Sequence, residues 1–180
     1  MNVKEVLKRP AGRVSLCAMI CAVGVVGRIG LTLIPNVQPV TALIMLTAIF
    51  IGLPEALLCS VVIVMVTNLI MGMGIWSLYQ IAGWVLVAIA TKLCMSWIKR
   101  AKAWQVYPIS AAWAMLMGFG FGAFVSIFSY KTFAMGGVQQ GYWAYWLGGL
   151  PFDLYHALGN AVFFTVLTPI FKKLFVDVKQ

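Results

Sequence analysis

The stretch GLPEA, Gly52 to Ala56, interrupts an apolar run that extends from Pro39 to Met71. Unbroken, that run would form about 33 residues of helix, about 50 Å long, against a bilayer hydrocarbon core of roughly 30 Å. GLPEA divides it. Gly52 is a helix-stopping residue, and Pro54 suits a first helical turn because the N–H it lacks would have no partner there. Glu55 then sets a negative charge beside the positive end of the next helix dipole. The run becomes two helices, at about 39–51 and 54–71. The first is short for a crossing, so it must tilt, sit among longer neighbours or stop part way.

Four further apolar runs flank this pair, at about 14–34, 77–98, 106–129 and 149–171. Of the 180 residues, 63% are hydrophobic and 9% charged, whereas soluble domains carry about 25% charged residues. The mean hydropathy is +0.98. The expected fold is an all-α membrane protein with six transmembrane helices in one integral membrane domain, residues 1–180. Met1 to Arg13 resembles the basic start of a signal peptide. The run after it is a full span with no clean small-x-small cleavage site, so it reads as a retained first helix.

The net charge of +9 reports topology rather than a nucleic-acid partner, because the basic residues cluster at helix ends instead of lining one polar face. Lys4, Lys8, Arg9 and Arg13 precede the first helix. Lys99, Arg100 and Lys102 follow the fourth, and Lys172, Lys173 and Lys179 follow the sixth. The positive-inside rule then places both termini in the cytoplasm. The external face holds Pro35–Gln38, the loop Met71–Ser77 and a long segment Ser129–Gly148. Cys17, Cys21, Cys59 and Cys94 lie in apolar runs with no CxxC pair, and read as buried, inert thiols.

Polar side chains inside apolar runs are expensive in hydrocarbon, which makes them informative. Arg28, near the outer end of the first helix, either anchors at the interface or meets an acidic group, of a ligand or of Asp153. IPNVQPVTAL, Ile34 to Leu43, sets Asn36, Gln38 and Thr41 among two prolines. Asn68 sits late in the third helix and points toward the same mouth. Trp76, Tyr79, Gln80 and Trp84 open the fourth, with Gln80 and Trp84 on one helical face. Tyr142, Trp143, Tyr145 and Trp146 crowd the segment before the sixth. An interfacial aromatic belt accounts for such rings, while rings beside uncharged amides also suit a large, partly apolar organic ligand.

Asp153, His156 and Asn160 recur at three- and four-residue spacing, on one face of the sixth helix. Asp153 also suits a helix N-terminus as a cap. As the single histidine, His156 cannot build a multi-histidine metal site, and no metal ligand set is expected. It either lines a ligand pocket or bonds to Asp153. No P-loop, HExxH or GxSxG motif is present, which argues against an enzyme and against ATP hydrolysis by this chain. Ala18 and Ala22, four apart on the first helix, permit close approach of another helix, either within the fold or from a partner.

Taken together, the PNVQPVT lead-in to the second helix, the small-residue first helix and the glycine-rich turn GMGIWSLYQIAGW resemble the substrate-binding S components of energy-coupling factor (ECF) vitamin transporters. The resemblance covers nearly the whole chain, and within the family it favours the cobalamin-specific branch. It implies a bacterial plasma-membrane subunit that binds its vitamin from outside, with cobalamin as transported ligand and no cofactor. It also implies a transmembrane coupling protein (T component) and two ATP-binding cassette ATPases as partners, with Ala18 and Ala22 as the docking surface. Riboflavin, folate and pantothenate stay open as ligands. So do a small membrane enzyme acting on lipid or isoprenoid substrates through Asp153 and His156, and an assembly subunit.

Overall fold

The computed structural model describes residues 3–100, 102–137 and 139–176. Lys179 and the side chain of Lys4 lie outside the described residues. Seven α-helices appear in order among them: α1 (Val3–Lys8), α2 (Pro10–Gly30), α3 (Val40–Phe50), α4 (Leu53–Met71), α5 (Trp76–Met95), α6 (Ala103–Met135) and α7 (Tyr142–Phe175). A 3-10 turn, Ser96–Lys99, extends α5, and the described residues contain no strand. Five helices, α2, α4, α5 with its 3-10 turn, α6 and α7, are long and apolar enough to cross a membrane. The molecule is an all-α membrane protein.

GLPEA does what its residues dictate. Gly52 separates α3 from α4 in extended backbone, Pro54 sits in the first turn of α4, and Glu55 follows it. The Glu55 carboxylate turns back to Arg13 on α2 at 2.5 Å, tying the starts of α2 and α4 together. Gly52 packs against both side chains of that pair, where a Cβ would collide with the carboxylate.

The short helix α3 holds the centre. All 11 of its residues are buried, and at 1.5 Å per residue it is only about 16 Å long. It packs against α2, α4, α5 and α7, which shield it from lipid. One end of the bundle carries Arg13, Glu55, Lys99 and the ring cluster Phe50–Phe171–Phe175. The other end carries the turn over residues 31–39, the α4–α5 turn and the α6–α7 connection.

That last connection differs from expectation. The segment Ser129–Gly148 is not a long loop, because α6 continues to Met135 and α7 starts at Tyr142. Aromatic packing extends the helices: Tyr130 meets Tyr142 and Tyr145, and Phe133 meets Tyr145. The chain turns only beyond Met135, where Gly137 takes a φ of +90° that favours glycine. α2 is likewise displaced from the expected 14–34, starting on Pro10 and ending at Gly30. Cys17, Cys21 and Cys59 are buried as expected, but Cys94 is exposed on α5.

Candidate functional site

The 31–39 turn is held by residues far away in sequence. Asn36 adopts a φ of +57°, a left-handed conformation that asparagine tolerates better than most residues. Its side-chain amide donates to the Phe152 carbonyl on α7 at 3.0 Å. Its own carbonyl lies 3.0 Å from Nδ1 of His156. A carbonyl can only accept, so Nδ1 carries the proton and Nε2 is the acceptor. Nε2 lies 3.1 Å from the Thr41 hydroxyl on α3, which in turn accepts the Trp84 indole N–H at 2.9 Å. The hydrogen bonds therefore run in one direction: Trp84 to Thr41, Thr41 to His156, His156 to Asn36.

A second network adjoins it. Arg28, only 8% exposed, points inward from α2. It donates to the Thr67 hydroxyl at 2.8 Å and to the Gln80 side-chain oxygen at 3.2 Å. Asn68 donates to the same Gln80 oxygen at 2.9 Å and to Ser77 at 2.8 Å, joining α4 to α5. The Arg28 guanidinium carbon stands 5.2 Å from the centre of the Trp84 ring, within cation–π range. Trp84 stacks on Phe121 at 4.9 Å, and Phe121 contacts the His156 ring at 5.4 Å. Five helices, α2, α3, α4, α5 and α7, and the 31–39 turn thus share one polar layer.

Above this layer lies a cavity of about 220 Å³. Arg28, Thr32, Asn36 and Gln38 supply its polar wall, while Leu31 and Met71 are among its apolar lining. Gln38 is 9% exposed, lines the cavity and makes no hydrogen bond with another described residue.

The expected site residues separate into three groups. Arg28, Asn36 and Gln38 line the cavity, and Thr41, Asn68, Gln80, Trp84 and His156 form the layer beneath it. The remainder stand outside its wall. Trp76 is half-exposed, and Tyr79 instead bonds Thr132 at 2.8 Å and packs on Phe128. Tyr142, Trp143, Tyr145 and Trp146 pack among themselves and against α6.

Asp153 and Asn160 face α6, against the glycine notches Gly122 and Gly118. Asp153 is buried yet pairs with neither Arg28 nor His156, so those two expected contacts do not form. Both polar atoms of Asn160 are buried without a partner. Nor is Arg28 an interfacial anchor, since its stem turns into the bundle toward Thr67.

Thr67, Ser77 and Thr32 are site residues that the sequence reading passed over. A spacing signal existed for Thr67, which lies one position before Asn68 in an otherwise apolar helix. Ala18 and Ala22 are exposed on α2. Ala22 borders an all-apolar groove of about 510 Å³, walled by Val26, Gly27, Pro39, Phe163 and Leu167 among others. No family model, curated protein or solved structure matches the chain.

Proposed function

We propose that the chain is the substrate-binding S component of an ECF vitamin uptake transporter, binding its ligand at the 31–39 end of the bundle. In this reading α3 counts as a sixth crossing, completed by its neighbours. Both termini are cytoplasmic, and the chain resides in the plasma membrane of a bacterium. The coupling protein and two ATPases supply the energy, and the chain is not itself an enzyme. The observation that carries the reading is the polar cavity over a largely buried hydrogen-bonded layer, in a membrane fold where such groups are costly and usually functional. The exposed Ala18 and Ala22 stripe supports docking of a partner helix.

Cobalamin or a related corrinoid remains the leading ligand. The cavity of about 220 Å³ is smaller than the usual ligand pocket of roughly 300–1,000 Å³. A corrinoid would therefore seat one edge beside Gln38 and lie across the mouth. The same size favours riboflavin or pantothenate as the second reading.

The test is a tryptophan-fluorescence titration of the detergent-solubilised chain with a vitamin panel, using calorimetry where the ligand absorbs. One-to-one saturable binding of a corrinoid alone is the expected result. Binding of a different vitamin would keep the transporter reading and remove the corrinoid. A folded protein that binds none would overturn both.

A further inference from the structure

Among the described residues, Arg28 has no counter-charge. The two ion pairs among the described residues, Arg13–Glu55 and Lys8–Glu5, both lie away from it. Asp153, the remaining described acid, pairs with no cation. The guanidinium has five N–H groups, and its hydrogen bonds to Thr67 and Gln80 go to neutral oxygens. These bonds orient the group without neutralising it. A buried charge is stable when paired, and in a membrane the demand is stronger than in a soluble core. Beside it stands Gln38, buried to nine-tenths, unpaired and lining the same cavity. A cation and a free amide converging on one small polar space make an anion receptor, since both can donate to the same oxygen pair.

We infer that the cavity between α2 and the 31–39 turn binds the carboxylate or phosphate group of a small soluble ligand, with Arg28 as the charge partner and Gln38 as a second donor. This deepens the transport reading and rests on the same cavity: it selects ligands that carry an acidic group. Trp84 beneath the guanidinium reports occupancy, because a bound anion changes the field at its ring.

Two arms test the inference on the full detergent-solubilised chain. In the first, acetate, benzoate and inorganic phosphate replace chloride at constant ionic strength, while thermal unfolding and tryptophan emission are followed. The expected result is a saturable shift in wild type that Arg28→Gln abolishes. Gln38→Leu should weaken it about ten- to a hundredfold, as loss of one charge-assisted hydrogen bond would. Gln38 has no structural partner, so this variant serves even if Arg28→Gln fails to fold.

In the second arm, ligands are compared in pairs: pantothenate with pantothenol and biotin with biotinamide, which differ only at the acid, and cobalamin with cobinamide, which lacks the phosphodiester together with its ribose and base. The member carrying the acid should bind at least about tenfold more tightly. Equal binding within the pair that binds overturns the anion site and leaves the transporter reading standing. Anion shifts without any vitamin binding do the reverse. Shifts that are absent, or unchanged in both variants, overturn the inference. So does tighter competition by short-chain phosphatidylglycerol than by any soluble anion, which would assign the cavity to a lipid headgroup.

Discussion

His156 on α7 holds the backbone carbonyl of Asn36 at 3.0 Å, across 120 residues of chain. Its other ring nitrogen is held by Thr41 on α3, so the single histidine is a brace between the central helix and the turn that walls the cavity. Replacing it with phenylalanine keeps much of the volume but leaves the buried Thr41 hydroxyl without an acceptor and the part-buried Asn36 carbonyl without a donor. At about 1–3 kcal/mol for the buried group and less for the part-buried one, the expected loss is about 1–4 kcal/mol. Thermal unfolding in detergent measures it, and ligand affinity should fall with it, because Asn36 is released. An unchanged melting temperature would remove the brace role.

Thr41→Val is nearly isosteric, and it strips the hydroxyl that links Trp84 to His156. The indole N–H and the imidazole Nε2 both lose their partner, so a loss of about 2–4 kcal/mol is expected. Thr41→Ser keeps the hydroxyl and should retain most of the stability. The two variants measured together separate the hydrogen bond from simple packing.

Asn36 accepts a left-handed backbone that most residues resist. Asn36→Gly should fold and lose chiefly the side-chain bond to Phe152, about 1 kcal/mol. Asn36→Val adds roughly 1–2 kcal/mol of backbone strain to that loss. Equal melting temperatures for the two would contradict the positive φ.

Helix α6 offers a comparison within one element. A Cβ at Gly118 would fall 2.8 Å from the Cα of Ala157, whereas a Cβ at Gly120 meets nothing within 4 Å. Gly118→Ala should destabilise by about 1–3 kcal/mol through overpacking of α6 against α7. Gly120→Ala should be neutral or stabilise by up to about 1 kcal/mol, from helix propensity alone. Ranking the two by urea or thermal unfolding decides the point.

The ion pair at the opposite end has unequal partners. The Glu55 side chain is 11% exposed and that of Arg13 43%. Arg13→Met abandons the buried carboxylate and should destabilise substantially, by up to about 3 kcal/mol after allowing for the exposed partner. Glu55→Gln removes the buried charge and should be milder. Lys8→Met, which breaks the exposed Lys8–Glu5 pair, should leave the melting temperature unchanged.

The helices were legible in the sequence because hydropathy and the Gly-Leu-Pro-Glu punctuation carry local information. What hydropathy could not convey was the length of α6 and α7, since Ser129–Met135 mixes polar and aromatic residues and Tyr142–Gly148 is largely aromatic, and their rings pack on each other. For the site, residue type found Arg28, Asn36, Gln38, Thr41, Trp84 and His156. It could not tell which of them face the cavity and which face one another. Asp153 illustrates the gap: helical spacing placed it beside His156, but side-chain direction turned it to Gly122 on α6. Thr67 was overlooked because threonine in an apolar helix commonly bonds to its own backbone, as this one also does to Ile63.

The buried, 11-residue α3 has a consequence for how the protein is made. During synthesis the translocon releases helices into lipid one or two at a time, and a rod of about 16 Å cannot hold both its ends at the headgroups alone. α5 and α7, which cover two of its faces, are synthesised after it. The segment has to wait, sheltered beside α2 and α4, until later helices arrive. Its burial is thus completed only when α7 closes the bundle, so a chain halted before that point would leave the most apolar helix of the molecule only partly covered.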